Sequence, residues 1–290
     1  MSKKLRDLTI RDNFMFAAVM METDNCKHFL EMVLGIEIER IEISYEKSII
    51  YNPEFKGIRL DVYARDEKNT CYDIEMQVVK QELGKRARYY HSQMDMELLL
   101  RGHGYEELLE SYVIFICDFD PFGEKKYQYT FENRCIEDLD LSVRDGARSI
   151  FLSTEGENAE EVTRELVKFL KFVKEDTSET AQDYKDTFVQ QLQNSMQRVK
   201  QNREMERQYM LLEDLLKEER KTAEAKGKIE GELKAHRENI VELLEDLENI
   251  PDELHDRIMS ETNINVLKHM FKAAVKADTL QEFEEIISNL

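Results

Sequence analysis

Ile58-Arg59-Leu60-Asp61-Val62-Tyr63-Ala64 and Cys71-Tyr72-Asp73-Ile74-Glu75-Met76-Gln77-Val78 alternate apolar and polar residues on either side of a polar turn, Arg65 to Thr70. That period predicts two half-buried strands of one hairpin. Leu60, Val62 and Ala64 take one face, matched by Tyr72, Ile74, Met76 and Val78 on the partner strand. Asp61, Glu75 and Gln77 fall together on the opposite face. A turn centred near Lys68 sets Asp61 across from Glu75, and directly opposed Cβ atoms stand about 4.5–5.5 Å apart. Two carboxylates that close repel each other, and a hard divalent cation would turn the repulsion into a binding site. The plainer reading makes them ordinary acids on a solvated sheet face.

Working outward, Asp12 is placed to cap a helix in which Phe16, Val19 and Met20 repeat at helical spacing. Phe29, Leu30, Val33 and Leu34 repeat again before Gly35. A β-rich stretch follows, from Ile36, Ile38, Ile41 and Ile43 to Ile49, Ile50 and Tyr51, with Pro53 and Gly57 in the turn before Asp61. After Gln77, residues 81–101 read as a helix that is basic at its start, with Lys80, Lys85, Arg86 and Arg88. Ala87, Tyr90, Met94 and Leu98 form its apolar stripe. Tyr112 to Cys117 is a short apolar, β-branched run, the mark of a strand buried on both faces. Tyr127 to Phe131 and Ser149 to Leu152 suggest further strands, and Val162 to Val173 an amphipathic helix. Together these elements predict an α/β domain over residues 1–176.

Beyond it, Phe188, Leu192, Met196 and Val199 make a seam for a packing helix, inside the chain or in a dimer. Leu212, Leu215 and Leu216 repeat it weakly. Residues 217–234 are charge-rich and contain Gly227 and Gly231, so 177–235 reads as long charged helices and linker. Residues 236–290 read as a small helical domain in which Val266, Leu267, Met270, Phe271 and Val275 pack inward.

The chain has 290 residues and a net charge of −20, which argues against binding nucleic acid through overall charge. Phosphate contacts would have to come from a local patch helped by metal. Cys26, Cys71, Cys117 and Cys135 form no CxxC pair, and the six histidines form no HExxH pattern. Lys3, Lys4 and Arg6 are followed by Asp7 and Asp12 rather than by an apolar core, and no run of about 18 apolar residues occurs. These features suggest a cytoplasmic protein without a membrane segment.

The order of elements, with Asp12-Asn13-Phe14, Arg59-Leu60-Asp61-Val62-Tyr63, Ile74-Glu75-Met76-Gln77 and Arg86-Ala87-Arg88-Tyr89-Tyr90, resembles the PD-(D/E)xK nuclease superfamily. More narrowly it is similar to the Rpn group of recombination-promoting nucleases, also described as transposases. The resemblance covers about residues 7–175. It implies a restriction-endonuclease-like core, a central mixed sheet flanked by helices, followed by a variable helical region. It also implies metal-dependent cleavage of DNA phosphodiesters, linked to recombination or transposase-like activity.

By position, the resemblance makes Asp61 the acid of the first motif and Glu75 that of the second. Gln77 stands where lysine is usual. Glutamine offers hydrogen bonds but no charge, and Lys85 and Arg88 on the following helix are the expected substitutes. Mg²⁺ or Mn²⁺ would be held by Asp61, Glu75 and the Met76 carbonyl, with Glu46 or Glu22 as an added ligand. The alternative is a catalytically weak nuclease fold that serves as an interaction module, assembling, for instance as a homodimer, through its C-terminal helices.

Overall fold

The computed structural model describes residues 3–49, 58–99, 101–175 and 185–288. Its central hairpin pairs β2 (Ile58–Asp66) with β3 (Cys71–Gln77). The turn is fixed by Asp66, whose carboxylate accepts from the backbone N–H of Lys68 at 2.9 Å and of Thr70 at 2.8 Å, and from the Tyr72 hydroxyl at 2.8 Å. Asn69 supplies the left-handed residue at φ 64°, a conformation asparagine tolerates better than most. The resulting register pairs Val62 with Ile74 and Tyr63 with Asp73. Continued by one residue, it sets Asp61 against Glu75.

β1 (Ile41–Ile49) pairs antiparallel with β2. It starts later than its isoleucines suggest. The N–H of Ile38 goes to the Glu31 carboxylate at 2.9 Å, and those of Glu39 and Arg40 go to Glu67, so these donors are satisfied outside any ladder. Ile50, Tyr51, Pro53 and Gly57 lie outside the described residues. β4 (Ser111–Cys117) lies parallel to β3, β6 (Ala147–Ser153) parallel to β4, and β5 (Gln128–Phe131) antiparallel to β6. The sheet order is β1-β2-β3-β4-β6-β5. The parallel β3–β4 pair needs a crossover, which α3 (Gly84–Leu98) provides.

One expectation fails here. β3 is not half-buried: every residue from Cys71 to Gln77 is buried. Leu83, Ala87, Tyr90 and Met94 in and before α3 cover the face of Tyr63, Cys71, Val113, Phe115 and Phe151. Asp73, Glu75 and Gln77 lie on that same covered face. The other face carries Tyr72, Ile74, Met76, Ile114 and Ile116, all buried. Val78 lies beyond the strand and is exposed.

The remaining helices of this unit are α1 (Asn13–Met20), α2 (Thr23–Leu34), α4 (Arg164–Glu175) and α5 (Thr187–Gln201). Asp12 does precede α1, but its carboxylate turns back to the N–H of Thr9 at 2.8 Å and to Lys3 instead of capping the helix. Gly35, at φ 65°, closes α2 in the left-handed region. The Phe188–Val199 seam is consumed inside the chain: α5 packs on α1, α2 and α4, with the ring of Phe188 stacked on His28 and tilted against Phe169.

The chain divides into two compact units, Met1–Tyr209 and Met210–Leu290, where the sequence suggested boundaries near 176 and 235. Of the two readings of the charged stretch 217–234, helix or linker, it takes the helical one, as part of the 43-residue α6 (Arg203–Glu245). In the second unit, α7 (Asp252–Ser260), α8 (Ile264–Ala274) and α9 (Leu280–Ile287) close over Ile240, Leu244, Leu267, Met270 and Phe283. Val275, expected inside, caps α8 and is exposed.

Candidate active site

Asp61 and Glu75 reach the same side of the sheet, near the carboxyl end of β3. The Asp61 N–H donates to Glu75 Oε1 at 3.3 Å. The amide of Asn13, at the start of α1, approaches Asp61 Oδ2 at 3.5 Å. Asp61 is half-buried, whereas Glu75 is fully buried. A buried carboxylate needs a compensating charge. Arg86 supplies it, donating from Nη2 to Glu75 Oε2 at 2.5 Å.

The guanidinium is held on every side. Its Nη1 donates to Gln77 Oε1 at 3.1 Å and its Nε to the Tyr90 hydroxyl at 2.7 Å. It also lies over the rings of Tyr90 and Phe115, at 5.0 and 5.7 Å from their centroids. Gln77 completes the cluster: its amide nitrogen donates to Glu75 Oε2 at 3.3 Å, and its oxygen also accepts from Gln81 at 2.6 Å. Gln77 thus stands with an arginine beside it.

Electrostatics mark the same spot. Burial, and then repulsion from Asp61, push the Glu75 carboxyl up to about 8, against the pull of Arg86. Asp73 is fully buried and both its oxygens lack a hydrogen-bond partner. Burial, then Glu75 and Asp61, hold its carboxyl well above the usual range.

The expected residues divide. Asp61, Glu75 and Gln77 come together, with the Met76 backbone between the last two and the Met76 side chain buried on the other face. Lys85 and Arg88 are exposed on α3. Lys85 lines a cleft of about 520 Å³ with Lys80, Gln81, Gly84, Pro121 and Phe122. Glu22 is taken by Arg198 at 2.5 Å and Ser195 at 2.8 Å, in a polar network joining α2 to α5. The side chain of Glu46 lies outside the described residues.

The sequence reading named Arg86 in the basic helix start, Tyr90 in the apolar stripe and Asn13 in a motif, and Asp73 only as a strand residue, but gave none of the four a place among the site residues. Helical spacing could have found Arg86. At about 100° per residue it flanks the Ala87-Tyr90-Met94 stripe that faces the sheet, and Lys85 points the opposite way. Strand parity could have found Asp73, which is two residues from Glu75 on the same face.

Among the described residues, no three Asp, Glu, His or Cys side chains converge closely enough to enclose an ion as they stand. The donor set nonetheless suits a hard cation: two adjoining carboxylates from neighbouring strands, with an orphaned third beside them. One oxygen of Glu75 would have to be released by Arg86.

A mixed sheet flanked by helices, followed by a helical C-terminal region, is a restriction-endonuclease-like fold. The family described as PD-(D/E)XK nuclease family transposase matches residues 14–230, and the chain belongs to it. The narrower likeness to the Rpn group falls within that assignment. No curated protein and no solved structure matches the chain. Among the described residues, no helix is long and apolar enough to cross a membrane.

Proposed function

We propose that the protein is a divalent-metal-dependent DNA endonuclease that hydrolyses phosphodiester bonds in recombination or transposase-like events. The observation that carries this reading is the contact across the β2–β3 pair, Asp61 N–H to Glu75 Oε1 at 3.3 Å, with Arg86 closing on Glu75 from α3. Mg²⁺ or Mn²⁺ would be held by Asp61, Glu75 and the Met76 carbonyl, and when bound it supplies an activated water and neutralises phosphoryl charge. Gln77 holds Arg86 in place and offers its amide to water or phosphate. Arg86 would be the group to pair with a non-bridging phosphate oxygen, for which its planar fork is suited. Lys85 and Arg88, exposed on α3, would meet the flanking DNA backbone. The same reading places the protein in the cytoplasm, in keeping with its four free cysteines.

The test is nicking of supercoiled plasmid with Mg²⁺ or Mn²⁺, parent against Asp61→Ala purified in parallel. The parent should nick and the variant should lose the activity. Equal cleavage by both would remove Asp61 from the reaction. One observation favours the interaction-module reading: Met210, Leu211, Leu215 and Ile229 are exposed along α6. A stable dimer in light scattering, together with no heat on cation titration, would favour it over the nuclease.

A further inference from the structure

Asp73 sits where a core residue is expected. Its neighbours in the same row of the sheet are Tyr63 on β2 and Val113 on β4. Neither answers its charge. The Tyr63 hydroxyl donates to Cys71 Sγ at 3.2 Å, and Val113 is apolar. Arg86, the nearest cation of the site, is committed to Glu75, Gln77 and Tyr90. Both Asp73 oxygens are therefore buried without a partner. A buried acid left in that state opposes folding, and valine, threonine or asparagine would fill the position at lower cost. Local violations of this kind gather at functional sites, where a ligand that arrives later relieves them.

The location says which ligand. Asp73 lies two residues from Glu75 on the same face of β3, about 6.5–7 Å along the strand. Asp61 flanks Glu75 from β2. Three carboxyl groups thus lie on one face beside a single arginine, and Arg86 hydrogen-bonds only one of them. The three acids offer only oxygen as ligand atoms, which selects a hard cation over a soft one.

Building on the nuclease reading, we propose that Asp73 is a third carboxylate of the cation site, buried without a partner so that its charge acts on a divalent ion held between Asp61 and Glu75. Its role is affinity: it deepens the negative well beneath the ion and is relieved of its isolation when the ion binds.

The experiment is calorimetric titration of the full chain with Mn²⁺ alone, together with thermal unfolding with and without Mn²⁺, for the parent, Asp73→Asn and Asp61→Asn. Asp73→Asn keeps the shape and removes the charge. It should bind Mn²⁺ about ten-fold or more weakly, unfold at a higher temperature than the parent in EDTA, and gain less from added Mn²⁺. Affinity equal to the parent's overturns the inference, as does a fall in EDTA stability with affinity unchanged, which would make Asp73 a purely structural group. Asp73→Ser, smaller and also neutral, repeats the comparison if the asparagine variant does not fold. The Asp61→Asn arm separates the two claims. If it loses Mn²⁺ while Asp73→Asn keeps it, only the role of Asp73 falls. If the parent itself binds no Mn²⁺, the metal-dependent reading falls and takes this inference with it.

Discussion

Replacing Arg86 by methionine keeps most of the side-chain bulk over Phe115 and removes three polar contacts at once, to Glu75, Gln77 and Tyr90. Glu75 is left fully buried beside Asp61 and Asp73 with no cation. Removing one partner of a buried ion pair costs about 3–5 kcal/mol. Arg86 keeps 30% of its side-chain surface exposed, which points to the lower end. The loss must also depend on pH. Glu75 has its carboxyl raised to about 8 with Arg86 in place, and Arg86 is one of the groups that lower it. Without Arg86 the value rises further. Below the parent value both proteins carry Glu75 protonated, and the variant loses the guanidinium's hydrogen bonds to uncharged partners, about 1 kcal/mol or somewhat more each. Above it the parent ionises Glu75 against the guanidinium and the variant cannot. Urea unfolding in EDTA should therefore show a gap between parent and variant that is steady up to about pH 8 and widens by about 1 kcal/mol by pH 9. A gap that is absent, or that narrows as pH rises, would refute the ion pair as the organiser of this site.

Other consequences are open to test. Lys85→Ala and Arg88→Ala, both on the exposed side of α3, should leave the urea midpoint within about 0.5 kcal/mol of the parent. Each should flatten the salt dependence of DNA binding by about one unit of slope if it meets a phosphate, and an unchanged slope takes that residue off the DNA path. His91 lies between the hydroxyls of Ser111 at 2.8 Å and Ser149 at 3.1 Å, and burial lowers it to about 4 against the pull of Asp145. The unfolded chain then takes up a proton that the folded one refuses, so stability present above about pH 6.5 is lost as pH falls towards 4, by up to about 3 kcal/mol. A His91→Gln variant should lack that part of the slope, and identical pH profiles would contradict the assignment. Phe169→Ala empties a site between Phe29 and Phe188 and should cost about 3–5 kcal/mol in urea unfolding. A loss under about 1 kcal/mol would mean the three rings repack freely.

The opposition of Asp61 and Glu75 was legible because register is a local matter. Strand alternation and a short turn held by Asp66 and Asn69 fix it within a few residues. The same alternation misled on burial. Asp73, Glu75 and Gln77 imitate a solvated face, and only α3, packed over them from outside the hairpin, reveals that the face is closed. The choice among Lys85, Arg86 and Arg88 depended on the rotation of α3 about its axis, which the basic cluster alone does not specify. Residues 217–234 left helix and linker both open because they lack an apolar stripe. Their Lys, Glu and Ala residues favour helix regardless, and pairs such as Lys226–Glu230 at 3.8 Å and Lys234–Glu238 at 3.6 Å lie one turn apart along it.

A crystal grown with Mn²⁺ and measured for anomalous scattering tests the account at its centre. The ion should lie between Asp61 and Glu75 with carboxylate oxygens about 2.0–2.2 Å away, the separation small hard cations adopt, and with the Arg86 guanidinium withdrawn from Glu75. No density there, with Arg86 still seated on Glu75 at saturating Mn²⁺, would contradict it.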